Sequence, residues 1–415
     1  MDLKISHSCP SCGGPVEMME ADRLTTCVFC DIKNYRVDGG LQRFMLPDKI
    51  PTRIERSEVI YFPYLRFKGN IYSCRGRTID YKVLDTTHQG LKVQDIPPSL
   101  GLRPQAMTIQ MVNGSHSGRF LRRKEPAVTI LQRASLLAES FSDYGNDTLF
   151  HRAFIGETVS CIYLPLYRDG NSLYDGVLNR RISSFEPWYT QENGSVRYSK
   201  EWEPTFLATV CPKCGAAMEG GSDALVLHCY NCHTCCAEKN GKFVPVPFEM
   251  VQAQNPNSVY IPFWRISAQS GKSKLRSLAD LLRLTNQPVV VNKHHEKQEL
   301  TFWIPAIKIR PQIFLKVAKS ATLTQLKFLK GEQRLAKPIQ PVTMPLKEAT
   351  QALKSVVAET SVNKKEVLEQ LPDINFSIKR NTLIFLPFED TGHDFVQEES
   401  SLSIASSVVE FGRKL

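Results

Sequence analysis

Polar and apolar positions alternate most clearly in Glu58 to Phe67 (EVIYFPYLRF), a run rich in aromatic and β-branched residues that predicts a strand. Lys68-Gly69-Asn70 predicts a turn, and Asn70 to Cys74 and Arg77 to Asp85 continue a meander. Pro63 donates no ladder hydrogen bond, so its strand is expected at a sheet edge or with a bulge. Ile96 to Gln110 contains Pro97, Pro98 and Pro104 and is expected to be extended or looped. Helical spacing appears at Ile130 to Phe141, where Ile130, Leu131, Ala134, Leu137, Ala138 and Phe141 share one side. Leu149 to Ile155 and Thr158 to Tyr167 read as strands, and Arg168-Asp169-Gly170-Asn171 as the turn into Ser172 to Asn179.

The same order then returns. Val259 to Ile266 (VYIPFWRI) matches Ile60 to Phe67 (IYFPYLRF) and sets Pro262 against Pro63. Ile304-Pro305 matches Ile96-Pro97, Arg310-Pro311-Gln312 matches Arg103-Pro104-Gln105, and Leu386-Pro387 matches Leu164-Pro165. A helix expected over Leu346 to Glu359 ends Ala358-Glu359-Thr360, where the first half has Ala138-Glu139-Ser140. The second half adds expected helices at Ser273 to Leu284 and Asn363 to Leu371. Landmarks kept in one order predict an internal duplication, and two related units packed as a pseudo-twofold pair.

Cysteines head each half. Cys9, Cys12, Cys27 and Cys30 form two Cys-x2-Cys pairs with fourteen residues between them, and Cys211, Cys214, Cys229 and Cys232 repeat the spacing 202 positions later. Four soft thiolates at that spacing enclose one tetrahedral metal ion, and Gly13 and Gly215 give the first knuckle of each site its turn. Iron is the rival metal, but only the first pair of each set is followed by glycine, which favours zinc. Residues 9–30 and 211–232 resemble the zinc-ribbon superfamily, whose members occur in transcription factors, polymerase subunits and ribosomal proteins. The resemblance implies the metal and the hairpin fold, not one activity. Two structural Zn2+ ions per chain are therefore expected. His233, Cys235 and Cys236, with His228, stand beside the second set as candidate additional ligands, or as idle residues next to a knuckle.

The fold class that follows is α+β and strand-rich, each half a zinc ribbon followed by an antiparallel β-rich domain with a helix. The expected domains are a ribbon over 1–40, a β-rich unit over 41–185, a connector over 186–204, a second ribbon over 205–242 and a second β-rich unit over 243–415.

Composition changes this picture little. Apolar content of 42% and charged content of 23% are those of a globular chain. A net charge of +10 raises nucleic acid as a partner, although the densest basic run, Arg119 to Lys124, reads as a solvated loop. No window is apolar enough to span a membrane, and Met1 to Pro10 lacks the features of a signal peptide, so a cytoplasmic location without membrane partners is expected. Cys74 and Cys161, in strand-like runs, are expected in the core.

No nucleophile elbow, phosphate loop, dinucleotide glycine pattern or helical zinc-protease motif is present. His294-His295-Glu296 reads as a polar turn, and the carboxylates of Asp169, Asp175, Glu389 and Asp390 as turn residues. The aromatic-proline strands leave three readings open. Tyr61, Tyr64 and Arg66, with Tyr260, Trp264 and Arg265, pack a core, receive a strand from a protein partner, or stack nucleic-acid bases. The function expected is a non-enzymatic adaptor or scaffold, whose ribbons mediate assembly with an unknown protein partner. The alternative is a nucleic-acid-binding accessory of transcription or replication.

Overall fold

The computed structural model of the chain describes residues 3–140, 147–187, 194–271, 274–326, 331–397, 400 and 402–412. They form a strand-rich α+β protein divided into two compact units. Unit 1 takes Met1–Gly69, Leu84–Ser142 and Glu157–Ala208, and unit 2 takes Asn70–Val83, Asp143–Gly156 and Thr209–Leu415.

In unit 1, strands β1 (Lys4–Ser8) and β2 (Pro15–Met19) form the first hairpin of the chain, and β3 (Leu24–Thr26) and β4 (Lys33–Val37) the second. They are followed by β5 (Gln42–Met45), β6 (Ile60–Arg75), β7 (Thr78–Gln89), helix α1 (Arg103–Ala106), β8 (Ile109–Met111) and β9 (Arg119–Leu121). Helix α2 (Ala127–Ser140), β10 (Leu149–Asp169), β11 (Ser172–Asp175), β12 (Arg180–Ser184), β13 (Ser195–Val196) and β14 (Thr205–Ala208) complete the run. The main sheet runs β13-β9-β6-β10-β5-β8-β1-β2, while β14 pairs with β4 and β4 with β3 in a separate small sheet. The main sheet is mixed rather than purely antiparallel, because β5 runs parallel to β10 and β1 parallel to β8. Ile60, Phe62, Tyr64, Ile162, Leu164 and Leu166 pack on one face, and Val59, Tyr61, Cys161, Tyr163 and Tyr167 on the other. Burial of both faces explains why these strands are apolar at nearly every position.

Two-sided burial also overrides local turn chemistry. Lys68-Gly69-Asn70 is no turn: β6 continues through it, because Phe67 before it and Ile71, Tyr72 and Cys74 after it are buried on both faces of the strand. The chain reverses instead around Gly76, whose φ of 49° suits glycine. Likewise β10 is one strand from Leu149 to Asp169 where two were expected.

Unit 2 contains β15 (Val226–Cys229), β16 (Thr234–Lys239) and β17 (Lys242–Pro245) as a three-stranded sheet. After it come β18 (Phe248–Met250), β19 (Ser258–Gln269), α3 (Leu278–Leu284), α4 (Lys293–Lys297), β20 (Thr301–Pro305) and α5 (Pro311–Thr324). Helices α6 (Leu346–Gln351), α7 (Leu353–Thr360) and α8 (Lys364–Gln370) precede β21 (Ser377–Asp390), β22 (Asp394–Gln397), β23 (Leu402–Ala405) and α9 (Ser406–Phe411). The sheet order is β20-β19-β21-β22-β23, with β18 parallel to β21. Tyr72, Cys74, Ala153 and Ile155 join the core of this unit, the Tyr72 ring 6.3 Å from that of Phe314 on α5. Helix α3 starts later than expected, because the Ser277 hydroxyl accepts from the Asp280 N–H and the Asp280 carboxylate accepts from the Ser277 N–H, a capping box. His294-His295-Glu296 lies on α4, capped by Asn292, rather than in a turn. The single helix expected over Leu346 to Glu359 is two, α6 and α7.

Both units solve the proline strand in one way. In unit 1 the Arg119 N–H donates to Val59 O at 2.8 Å, and the Gly90 N–H to Pro63 O at 2.8 Å. In unit 2 the Tyr260 N–H donates to Pro338 O at 2.9 Å, and the Ala306 N–H to Pro262 O at 2.8 Å. The missing proline N–H thus falls where one neighbouring segment ends and another begins. On the other side β6 pairs with β10, and β19 with β21, where Pro262 stands opposite Phe385. Neither strand is an edge. Further pairs agree: Leu46 N–H donates to Tyr163 O at 3.1 Å and Val251 N–H to Phe385 O at 3.0 Å, while Met45 faces Gln110 and Met250 faces Glu332. The Ile304-Pro305 landmark does not agree, since Ala306 occupies the place of Gly90.

Candidate metal centres

Each four-cysteine set is built on two Cys-x2-Cys turns. In the first, the Cys9 N–H donates to Gly14 O and the Gly13 N–H to Cys9 O, both at 2.8 Å, while the Cys27 N–H donates to Ile32 O at 3.1 Å and the Asp31 N–H to Cys27 O at 2.9 Å. The first turn of the second set repeats that of the first, with Cys211 N–H to Ala216 O at 2.8 Å and Gly215 N–H to Cys211 O at 2.9 Å. Left-handed residues fall at matching places, Gly13 and Gly215 at φ 75° and 77°, Asp31 and His233 at 56° and 52°. Each knuckle thereby turns its two sulfurs to the same point.

The sulfurs of each set lie within 4.8 Å of one another. Cys9 to Cys30 is 3.9 Å, Cys12 to Cys27 3.6 Å, Cys211 to Cys232 3.6 Å and Cys214 to Cys229 3.5 Å. A tetrahedron with Zn–S bonds of about 2.3 Å has an edge of about 3.8 Å, so both sets fit a thiolate-bound metal of that size. Disulfide spacing is far shorter, and all twelve cysteines are free. Backbone amides reach toward the sulfurs, Ser11 N–H to Cys9 Sγ and Phe29 N–H to Cys27 Sγ at 3.4 Å each, and the Asn231 side-chain amide lies 3.5 Å from Cys214 Sγ.

The thiol acidities show what four crowded sulfurs require. The Ser11 amide holds Cys9 down to about 6. For Cys30 the Ile32 amide pulls downward, but burial and the neighbouring sulfurs of Cys12, Cys27 and Cys9 outweigh it and push the thiol up to about 12. In the second set the Asn231 and Ala216 amides bring Cys214 down to about 6, and burial followed by Cys214 and Cys232 pushes Cys229 up to about 12. Successive thiolates repel one another, and a divalent cation at the centre removes that cost.

The spare ligands of the second set do not join it. The His233 ring turns away, and its Nδ1 accepts from the Leu335 N–H at 3.2 Å. Cys235 is fully buried in the core of unit 2, and burial pushes its thiol up. Cys236 lies beside Cys211, with its thiol pushed up to about 12 by burial and then by Cys211 and Cys232. His228 is buried with its ring 5.5 Å from Phe385. Among the described residues, the ligand atoms that converge are those of the two four-cysteine sets.

Nor do the aromatic-proline strands offer a surface. Tyr61, Tyr64, Arg66, Tyr260 and Trp264 are all buried. The Tyr64 hydroxyl donates to Pro97 O at 2.6 Å, and the Trp264 indole N–H to Met344 O at 2.8 Å. Arg66 donates to both carboxylate oxygens of Asp85, at 2.7 and 2.8 Å, and to Glu20. Arg265 is half-buried, 2.6 Å from Glu249 and beneath the Trp303 ring. The reason is again the burial of both strand faces. The carboxylates read as turn residues are satisfied as such: Asp175 accepts from the Val177 and Leu178 N–H groups and from Arg103, and Asp169 pairs with Arg53.

What sequence reasoning missed is the tip of the first ribbon. Val28, Phe29 and Ile32 are 86%, 63% and 44% exposed around Cys30. An apolar pair inside the Cys27-x2-Cys30 turn was the signal that could have found it.

Comparison with protein-family models, with curated proteins and with solved structures gives no match to this chain.

Proposed function

We propose that the chain is a non-enzymatic, zinc-binding adaptor or scaffold of the cytoplasm, with two duplicated halves, each stapled by a structural zinc ribbon, that assembles with a protein partner. The observation that carries this reading is the pair of closed four-cysteine sets. Four sulfurs around one ion leave no position for water or substrate, so the metal serves the fold. The paired proline strands and their matching backbone bonds support the duplication, and the free thiols suit a reducing compartment. Zinc is favoured over iron because the second knuckle of each set carries Asp31 or His233 where an iron-binding knuckle has glycine.

Elemental analysis of the protein as isolated should give about two zinc ions per chain. One metal per chain, or the red colour of thiolate-bound iron, would contradict the reading.

A second reading, nucleic-acid binding, has its own support in unit 2. Exposed Lys274, Arg276, Lys379 and Arg380 gather at one end of the sheet, where Gln269 pairs with Ser377 and Ser270 bridges Leu275. Binding of a single-stranded oligonucleotide that weakens steeply with salt, and is lost on Arg276→Glu, would favour it. No binding at low salt would sink it.

A further inference from the structure

We propose that the second knuckle of the first ribbon, formed by Val28, Phe29, Asp31 and Ile32, receives an extended segment of a protein partner in which an apolar residue is followed two positions later by a lysine or arginine. This rests on the adaptor reading and gives it a surface.

The second ribbon shows what such a knuckle holds. Its corresponding turn is covered by residues 335–338 of its own chain. Leu335 is buried, and its N–H donates to His233 Nδ1 at 3.2 Å. Two positions on, the Lys337 ammonium lies 4.3 Å above the Tyr230 ring and 2.6 Å from Glu219. The cover thus reads apolar residue, spacer, cation, bound by one acceptor, one ring and one carboxylate.

The first ribbon presents an acceptor and a carboxylate at the matching positions and a ring one position along. Asp31 stands where His233 does, with the same left-handed backbone, and offers a carboxylate to accept an N–H. Phe29 supplies an exposed ring next to the place of Tyr230. Glu17 holds the place of Glu219 and is 59% exposed, paired only on the surface with Lys4 at 2.8 Å. Among the described residues of unit 1, by contrast, the stretch at the covering segment's place does not cover the knuckle. Counting on from the equivalent pairs Met45 with Gln110 and Met250 with Glu332, the counterpart of 335–337 is Asn113-Gly114-Ser115. That stretch is a polar turn closed on itself, the Ser115 N–H donating to Asn113 Oδ1 at 3.0 Å and the Asn113 N–H to His116 Nδ1 at 3.2 Å. An apolar tip that carries the Asp31 carboxylate therefore faces solvent, with Glu17 on the other hairpin of the same ribbon, and the pair is complementary in charge to a cationic segment.

The probe is a fluorescein-labelled peptide copying residues 332–340, titrated by anisotropy against the zinc-loaded full-length chain. Saturable binding is expected, weakened by about tenfold or more on Val28→Asp and on Glu17→Lys, with zinc content unchanged. A Lys337→Glu version of the peptide should regain affinity for the Glu17→Lys chain, a rescue that survives any general destabilisation by either variant. No saturable binding, or binding that Val28→Asp leaves untouched, overturns the proposal, as does self-association of the chain that Val28→Asp dissolves, since the occupant is then a second copy. Failure of the peptide with two zinc ions in place removes this surface but leaves the adaptor reading standing. Failure of the zinc stoichiometry removes the reading itself.

Discussion

The two ribbons have the same knuckles and are held by opposite hairpins. In the first, the hairpin that bears Cys9 and Cys12 is the anchor: β1 lies in the main sheet beside β8, with Ile5 and Met18 in the core, and the turn bearing Cys27 and Cys30 carries its apolar tip into solvent. In the second, the hairpin that bears Cys229 and Cys232 is the anchor, with Val226 and Cys235 in the core of unit 2 and His228 against Phe385. There Cys211 and Cys214 sit on the outer turn, which is closed on itself by the bridge of Val210 to Ala217 and meets the anchored hairpin at the bridge of Glu219 to His228. Metal geometry is thus a local property that survives any docking, and docking decides which face of a ribbon is left for a partner. The third strand shows the same freedom. In the second ribbon β17 follows β16 through the turn at Asn240-Gly241, whereas in the first that place beside β4 is taken by β14, from far along the chain.

The sharpest way to break this comparison is to remove a ligand from the anchored or the outer turn. Cys229→Ser should abolish the second site and cost about 3 kcal/mol or more, because the loosened strand belongs to the core of unit 2. Hydrogen exchange should then report lost protection through β15, β16 and β18. Cys27→Ser should abolish the first site with a smaller loss, confined to β3, β4 and β14. Equal, local losses from both would show that the ribbons are docked alike.

A second contrast lies beneath the proline strands. Arg66 and Arg265 hold matching places, but Arg66 is 1% exposed between Glu20 and Asp85, with the Gln105 amide also on Asp85 at 2.7 Å, whereas among the described residues Arg265 forms its ion pair with a half-exposed Glu249. Removing one member of a buried ionic cluster strands the others, so Arg66→Ala should cost about 3–5 kcal/mol. Arg265→Ala should cost about 1 kcal/mol, as a half-exposed pair does. Denaturant melts of the two variants test this, and similar losses would remove the distinction.

How far the chain could be read follows from how local each feature is. The two four-cysteine sets that could each hold a metal ion were legible because a knuckle needs only four residues and a left-handed position after the second sulfur. The helix over Ile130 to Phe141 was legible from its period, and appears as Ala127–Ser140, with Phe141 outside the described residues. The run through Gly69 was not, since its burial is decided by elements distant in sequence. Pro63 and Pro262 point to the same limit: proline excludes a hydrogen bond, and the sequence does not say that a neighbouring segment ends at that spot. Helix α5 carries a helical period in Phe314, Leu315, Ala318 and Ala321 on its buried side, and Pro311, a landmark of the repeat, is also a suitable first residue of that helix. The fates of His233, Cys235 and Cys236 depend on the register of β16 against β15, which places Cys229 opposite Thr234 and turns the following residues into the strand.

The finest difference between the ribbons is the contact of the first knuckle with the second. In the first ribbon the Phe29 ring lies over Gly14, so close that a Cβ added to the glycine would stand 2.6 Å from the ring. The second ribbon has Ala216 at the glycine's place and Asn231 at the phenylalanine's, and the smaller side chain donates toward Cys214 Sγ at 3.5 Å. The backbone of Gly14 does not have a positive φ, so alanine is opposed there by the ring and not by the torsion. Gly14→Ala alone should therefore lower stability by about 1 kcal/mol and weaken metal retention against a chelator. Phe29→Asn should relieve the clash and supply an amide to Cys12, so that the double variant recovers most of what Gly14→Ala lost, a coupling of about 1 kcal/mol. Additive losses in that cycle would mean that the ring moves aside at little cost, and that the two first knuckles differ in sequence without differing in packing.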